Sequence, residues 1–445
     1  MEKKIILLFL SLNLVFAKLD SPARSLTIYK DNFALVNEPI VWNLKLGRNI
    51  SSFTNISQNL LFDSPVLSVE GVQVLSQTLN RNFSSTDAFL KNNIGAAVEV
   101  KPNDGSNVQG ILMDYNGSTI SIKTNKGLVV FQRSQLSYFT LKSSTVQDKF
   151  TPEIRWEIIS DEDKSVNADL SYITSGFSWK PIYTLTINNS DSSAMLSINA
   201  EVSNNSNVNL FAVDLSVVEG NVPLHSSRKN SSSYQMVESR GSAMENRAML
   251  GDFYIFNLGK NLNLDAMQTI QLPMMKTRNI SYDKKYIYKN SEREQGDGPL
   301  SVEVSFENSI ENNLELPLPS GILYLYEKNV TGGLSFLGRN GLSQLYKGGT
   351  AILDGGKAFD IIGKRRILNF DRQTNSEEST ISIQIINTSD KSIKVKAIEN
   401  IIGDWVIKES SSMYIKEDAS TIYFPLEIEA GASELITYTY KKEWK

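Results

Sequence analysis

The chain of 445 residues contains no cysteine and only one histidine. The absence of cysteine excludes thiolate nucleophiles, thiolate metal sites and disulfide bonds, so the folded state must be stabilised by burial of side chains. One histidine excludes a zinc centre with two histidine ligands and leaves a single imidazole for any Ser-His-Asp triad. Apart from this one imidazole, paired carboxylates are the one catalytic apparatus that the composition could still contain.

A marked excess of positive charge is also missing. The chain has 45 Lys and Arg residues against 49 Asp and Glu residues, a net charge of -4. Proteins that bind nucleic acid or an anionic membrane present clustered basic residues, and this sequence has no polybasic segment. We therefore expect neither kind of partner.

Long apolar runs are restricted to the beginning of the chain. Residues 1–17, MEKKIILLFLSLNLVFA, have a short basic start, an apolar stretch and the small residue Ala17. This pattern predicts a secretory signal peptide, and the apolar stretch is shorter than the roughly 20 residues of a spanning helix. An uncleaved N-terminal anchor is the alternative. We predict an exported protein, periplasmic, envelope-associated or extracellular, with no transmembrane segment in its mature part.

What the sequence has in abundance is alternation of apolar and polar residues. In the stretch 167–223 it occurs in four runs, at 170–173, 183–187, 195–202 and 210–218. A period of two predicts consecutive half-buried antiparallel strands. Between the first two runs, a Trp179 ring can plug the end of a sandwich and Pro181 can open a strand.

Short turn sequences divide residues 94–141 into five further strands. The turns are NDG at 103–105, NG at 116–117 and NKG at 125–127. Asn-Gly and Asp-Gly are hairpin signals because both turn positions need a positive φ. The length and spacing predict a small SH3-like or Sm-like barrel in the N-terminal third of the chain.

The pattern over the whole chain predicts an all-β protein built of immunoglobulin-like antiparallel sandwich modules. The Ser-rich segment 225–251 has little strand periodicity and predicts a mobile loop. A polar stretch near residue 295 predicts a second boundary. The predicted domains are a signal peptide at 1–17, an N-terminal β domain at 18–90, the small barrel at 91–148, a first sandwich region at 149–296 and a C-terminal sandwich at 297–445.

Four segments in a fixed order carry a resemblance to a family. They are SYITSGFSWKPIYTLTI at 171–187, the stretch 316–342, AFDIIGKRR at 358–366, and GDWVIKESSSMYIKEDASTIYFPLEIEAG at 403–431. In combination they resemble domain-of-unknown-function family 4139, the mucoidy-inhibitor-like exported bacterial proteins, over about residues 150–445. The resemblance implies an all-β fold and an envelope location. It implies no established reaction and no catalytic residues.

Candidate catalytic groups are few. His225 is followed by two serines, and we interpret this proximity as chance. Glycoside hydrolysis needs two carboxylates, about 5 to 10 Å apart. Asp404 beside Trp405, and Glu417 with Asp418, are the acids that could form such a pair, and surface acids near strand ends explain them as well.

The sequence signals for a metal site or a phosphate site are weaker than those for a catalytic pair. Acids cluster in the segments 103–105 and 160–164, but neither matches a calcium-loop pattern, and both are typical of solvated turns. The glycine-rich segments 332–341 and 348–356 lack the GxxxxGK[ST] pattern, which favours turn glycines over a phosphate cradle. Ten N-x-S/T sequons are expected by chance in a chain this rich in Asn and Ser, and we predict that they are unmodified: Asn49, Asn55, Asn82, Asn116, Asn188, Asn204, Asn230, Asn279, Asn329 and Asn387.

Three functions remain open. The first is a non-enzymatic envelope or secreted protein that binds an envelope protein or a polysaccharide. The second is a two-carboxylate hydrolase of cell-wall or extracellular glycans, and the third is a self-associating structural protein. We favour the first and assign no catalytic, cofactor-binding or metal-binding residue.

Overall fold

The computed structural model describes residues 24–80, 87, 90–91, 93–142, 152–188, 192–220, 222, 247–250, 253–314, 316–329 and 331–444. Strands contain 71% of these residues and form several sheets. The all-β sandwich prediction is therefore confirmed. The predicted signal peptide at 1–17 lies outside the described residues. None of the helical structure within the described ranges is long and apolar enough to cross a membrane.

The strand bounds are as follows. The strands up to the small barrel are β1 (Ser25–Tyr29), β2 (Phe33–Leu44), β3 (Gly47–Phe53), β4 (Val66–Val69), β5 (Gln73–Asn80), β6 (Ala97–Pro102), β7 (Val108–Asn116), β8 (Thr119–Thr124), β9 (Gly127–Gln132) and β10 (Leu136–Lys142). The next are β11 (Glu153–Ser160), β12 (Lys164–Ser175), β13 (Phe177–Ile187), β14 (Ser193–Asn204), β15 (Leu210–Glu219), β16 (Arg247–Leu250), β17 (Phe253–Leu264) and β18 (Gln268–Ser281). The last are β19 (Asp283–Ser291), β20 (Gly296–Glu307), β21 (Gly321–Lys328), β22 (Leu334–Leu342), β23 (Thr350–Arg372), β24 (Ser376–Asn387), β25 (Ile393–Asn400), β26 (Asp404–Ser410), β27 (Ile415–Lys416), β28 (Thr421–Ile428) and β29 (Ser433–Glu443).

Two compact units divide these strands. The first unit comprises residues 1–179 and 202–270, and the second comprises residues 180–201 and 271–445. The first holds a seven-stranded sheet of order β16-β17-β15-β1-β2-β12-β4, the five-stranded sheet β10-β6-β7-β8-β9 and the three-stranded sheet β3-β11-β5. The second holds a nine-stranded sheet, β26-β29-β24-β23-β20-β19-β25-β28-β27, and most of the five-stranded sheet β18-β14-β13-β21-β22.

These units do not follow the linear domain boundaries expected from the sequence. Strand β2 pairs with β12 along its whole length, from Lys164 opposite Leu44 to Ser175 opposite Phe33, and β1 pairs with β15. The predicted N-terminal domain and first sandwich region therefore share one sheet. The reason is physical: periodicity along the chain shows where strands lie, whereas pairing joins strands that are far apart in sequence.

Strand direction also departs in part from the prediction. Most pairs are antiparallel, but β1–β15, β13–β21 and β19–β25 are parallel. Strand β13 begins at Phe177, so Trp179 and Pro181 lie inside a strand rather than between two strands. All five strands predicted within 94–141 are present as β6 to β10 and surround their own apolar core.

Two further segments differ from their predicted roles. Within the loop predicted at 225–251, residues 225–246 and 251 lie outside the described residues, but Arg247–Leu250 form strand β16. The polar stretch near residue 295 is the turn of the antiparallel hairpin of β19 and β20, not a boundary. A polar composition marks exposure to solvent, which a hairpin turn and an interdomain linker share.

Two apolar cores lie in the second unit. One is formed by β13, β14 and β21 with the first half of β23, and the other lies inside the curled nine-stranded sheet. Strand β20 contributes Val304 and Phe306 to the first core and Leu300 to the second. A long strand that serves two cores makes this unit one continuous structure.

Two of the sequon asparagines have a structural role. Asn204 and Asn387 are fully buried at the ends of β14 and β24. Each amide nitrogen donates to three backbone carbonyls, and each amide oxygen accepts from the backbone and hydroxyl of the serine two residues later. A glycan cannot be attached to these nitrogens in the folded protein, in agreement with the expectation for these two positions.

Candidate binding surface

The structure brings Trp405 against Lys416 and Ala419, the residues that flank Glu417 and Asp418. His225 lies outside the described residues. Asp404 is exposed at the start of β26. Trp405 is buried, its indole Nε1 donates to the Ala419 carbonyl at 2.9 Å, and the Lys416 ammonium lies 4.3 Å from its ring centroid. The Trp405 ring therefore belongs to the core and is not a platform for a sugar.

Glu417 and Asp418 are exposed and serve local contacts. The Glu417 carboxylate pairs with the Lys396 ammonium at 2.8 Å. Asp418 accepts hydrogen bonds from the backbone N–H and hydroxyl of Ser420 at 2.7 and 3.0 Å, which hold the pKa of Asp418 below its usual value. These contacts are with a lysine and a turn, and neither acid is hydrogen-bonded to another carboxylate.

The acidic segment 160–164 is a turn whose acids have basic partners. The Asp161 carboxylate accepts from Lys164 at 2.5 Å, and Asp163 accepts from Lys45 at 2.9 Å and from the Leu46 N–H at 2.7 Å. Within the described ranges, no three His, Asp or Glu side chains come together as a metal site would require. The carboxylates of Asp161 and Asp163 are therefore already paired with lysine ammonium groups.

The glycine-rich segments also lack a phosphate cradle. Gly332 and Gly348 occupy turn positions with positive φ, and strands β22 and β23 follow them. A phosphate cradle needs backbone N–H groups at the start of a helix. Strands in these positions do not supply that geometry.

A groove on the second unit brings several charged side chains and a tyrosine together. We call it the lysine–tyrosine groove. It encloses about 490 Å³ and is lined by Lys285, Glu303, Lys394, Val395, Lys396, Tyr423, Pro425, Leu426 and Glu427. The volume is within the range of small-ligand sites, about 300 to 1,000 Å³.

Strand periodicity points the lysine, glutamate and tyrosine side chains of the groove away from the core. On β25, Ile393, Val395 and Ala397 are buried, which leaves Lys394 and Lys396 on the opposite face. Across the sheet, Lys396 lies opposite Pro425 and Lys394 lies opposite Glu427 on β28. The groove therefore has a rigid floor of four adjacent strands, in the order β20-β19-β25-β28.

One carboxylate lies between two lysines at the edge of the groove. The Asp283 carboxylate is 2.7 Å from the Lys285 ammonium and 3.9 Å from that of Lys394. Partial burial raises the pKa of Asp283, but the two ammonium groups outweigh it and hold the pKa below its usual value. The hydrogen bond that Lys285 donates to the Asp283 carboxylate raises the pKa of Lys285. Both groups are therefore charged at neutral pH.

Lys396 of the groove packs on an aromatic ring. The Lys396 ammonium lies 4.3 Å from the Tyr423 ring centroid and pairs with Glu417 at 2.8 Å. Because the ring attracts the ammonium group, this contact restricts the directions in which the Lys396 side chain can point. Lys394 also lines a second depression, whose other side chains include Tyr282, Tyr286 and Asp390. The polar surface thus extends beyond the groove itself.

The arrangement supplies hydrogen-bond donors and acceptors. Lys285, Lys394 and Lys396 donate hydrogen bonds, and Glu303 and Glu427 accept them. Strands β20 and β28, which carry the two glutamates, are separated by β19 and β25. Their backbones are roughly 14 Å apart at the spacing of neighbouring strands. Glu303 and Glu427 therefore project from strands on opposite sides of the groove floor.

Only part of this groove can be predicted from the sequence. The alternation in SYDKKYIYK at 281–289 predicts an exposed strand, and Lys285 does lie on the face away from the core. The contribution of β25 and β28 depends on the pairing of β25 with β19, which joins residues more than 100 positions apart. Period-two patterns do not contain that information.

Comparisons with models of protein families and with curated proteins found no match for this chain.

Proposed function

We propose that this protein is an exported, non-enzymatic envelope or secreted protein that binds polysaccharide through the lysine–tyrosine groove. The observation that carries the proposal is the groove itself: an open, rigid floor from which lysines, glutamates and a tyrosine project at strand spacing. Sugar hydroxyls both donate and accept hydrogen bonds, so they match a surface that offers both. The nearly balanced charges favour a neutral or weakly charged polymer.

The hydrolase alternative has less support. It requires two carboxylates within about 10 Å, and the acids that the sequence offered for it are engaged with a lysine and a turn or lie exposed at a strand start. The export of the chain rests on residues 1–17, and its membership of family 4139 rests on the four segments between 171 and 431. Both remain part of the proposal.

Replacement of Tyr423 by alanine tests the groove. We expect Tyr423→Ala to weaken binding to an envelope polysaccharide at least tenfold, about 1.4 kcal/mol. The substitution removes the aromatic ring and also the contact that holds the Lys396 ammonium in place. Lys396→Ala should weaken it in the same direction. Binding is measured by isothermal titration calorimetry or by cosedimentation with insoluble cell-wall polysaccharide.

Two matched variants control for nonspecific effects. Tyr346→Ala removes an exposed tyrosine, and Lys408→Ala removes an exposed lysine, both outside the groove. Each should bind like the unmodified protein. Equal affinity of Tyr423→Ala and Tyr346→Ala would exclude the groove as the binding surface.

A further inference from the structure

Strand β9 of the five-stranded sheet in the first unit has an open edge. The order β10-β6-β7-β8-β9 places β9 at one end, and in the described part of the chain it pairs with β8 alone. Its sequence, GLVVFQ, has no charge and no proline, and its pairing with β8 has no bulge. An open edge of this kind is a template for another strand.

Four other edge strands have features that hinder such pairing. Strand β18 contains Pro273, and β26 carries Lys408 beside a register shift. The edge of β22 is covered where the Asn340 side chain bonds the backbone of Asp354. On the opposite edge of the small sheet, β10 has a register shift and ends at Lys142. Natural sheets use these devices against association, and β9 has none of them.

Several apolar side chains lie on the outer face next to this edge, on either side of the exposed Lys123. Leu128 and Val130 of β9 are 63% and 57% exposed, and Ile111 and Met113 of β7 are also exposed. Ile111 and Leu128 lie in one row across the sheet, each opposite Lys123 of β8. An incoming strand at β9 would place its own alternate side chains beside this row.

We propose that β9 pairs antiparallel with β9 of a second copy of this chain. An uncharged strand can lie opposite itself without like charges meeting, and the symmetric pair would join Leu128 and Val130 of both copies into one apolar row. Such an interface is self-complementary, as twofold dimers require. A contact limited to a six-residue edge and its border buries little surface, so the dimer is expected to be weak and dependent on protein concentration.

The absence of native cysteine allows a direct test, since any disulfide must join introduced residues. In the register that places Leu128 opposite Val130 of the second copy, a mixture of Leu128→Cys and Val130→Cys should form a disulfide-linked dimer under mild oxidation, and Tyr138→Cys on β10 should not. Sedimentation velocity on the unmodified protein should show a mass that rises from monomer toward dimer with concentration. Val130→Lys should remain monomeric, while Tyr138→Lys should behave like the unmodified protein.

Three results would overturn the proposal: a monomer at every concentration, a dimer that persists in folded Val130→Lys, or cross-linking of Tyr138→Cys equal to that at Leu128 and Val130. If circular dichroism shows that Val130→Lys does not fold, the cysteine variants decide the outcome, because they change the edge least.

Discussion

Replacement of Glu399 by leucine is expected to lower the free energy of unfolding of the second unit by about 3 to 5 kcal/mol. Glu399 and Arg365 are both 0% exposed, and Nη2 of Arg365 lies 2.7 Å from Oε2 of Glu399. The Arg365 Nε donates to the same carboxylate at 3.0 to 3.1 Å. Leucine would leave the guanidinium buried without a counter-ion, which costs far more than the ion pair gains.

The partners around this pair explain why the loss would be large. The Asn290 amide donates to Glu399 at 3.0 Å, and the Tyr438 hydroxyl donates to it at 2.5 Å. Burial and the neighbouring carboxylate raise the pKa of Tyr438 well above its usual value, so the hydroxyl keeps its proton. The network joins β19, β23, β25 and β29 inside the curled sheet, so one substitution loosens four strands.

A double variant separates the charge from the packing. Arg365→Met combined with Glu399→Leu removes both charges and should recover most of the stability, because no unpaired charge remains. The measurement is native-state hydrogen exchange by mass spectrometry on peptides from β24, β25 and β29, which reports the local free energy of opening. A loss below about 1 kcal/mol in Glu399→Leu would contradict the assigned role of the ion pair.

Replacement of Trp179 by alanine is expected to destabilise the first unit by about 3 to 5 kcal/mol. Trp179 is 4% exposed within β13, and its indole Nε1 donates to the Val218 carbonyl at 3.2 Å. The Lys30 ammonium lies 5.4 Å from the ring centroid. Alanine would remove the apolar contacts, leave a cavity and deprive a buried carbonyl of its donor. Hydrogen exchange of peptides from β13 and β15 measures the change.

An exposed aromatic residue provides the control. Phe359 is 92% exposed, and Phe359→Ala should change stability by less than about 0.5 kcal/mol. Protection in β13 and β15 that is equal in the two variants would show that Trp179 is not part of the core.

The strands could be predicted because the alternation of apolar and polar residues is visible in the sequence. The five strands within 94–141 and the four runs within 167–223 all exist, because a period of two reports which side chains face inward. Pairing partners depend on contacts that are distant in sequence. For that reason neither the parallel pairing of β19 with β25 nor the sheet shared by β2 and β12 could be predicted.

The sequence contains a pattern that predicts the buried ion pair of Arg365 and Glu399. Within β23, Arg365 has the same parity as the buried Ile361, and within β25, Glu399 has the same parity as the buried Val395 and Ala397. A period of two therefore places one charge of each sign on inward faces. Opposite charges on inward faces predict an ion pair. Considered without the strand period, the basic residues at 364–366 indicate only a solvated surface.

The same reasoning explains why the binding surface was harder to predict than the fold. Lys285, Lys396 and Tyr423 each have the outward parity of an ordinary solvated strand. Only the adjacency of β19, β25 and β28 makes a groove of them. The proposed function therefore depends on tertiary pairing, and the acids that attracted attention in the sequence lie outside the groove or at its margin.

Binding without cleavage is the central claim, and the chain length of the bound polysaccharide tests it most directly. A polysaccharide of defined length is incubated with the protein at saturating concentration, recovered and sized by chromatography, with new reducing ends counted. The account predicts binding that Tyr423→Ala weakens, an unchanged length distribution and no new reducing ends. Shortened chains whose release is abolished by a single substitution of Glu303, Glu427, Asp404, Glu417 or Asp418 would contradict it.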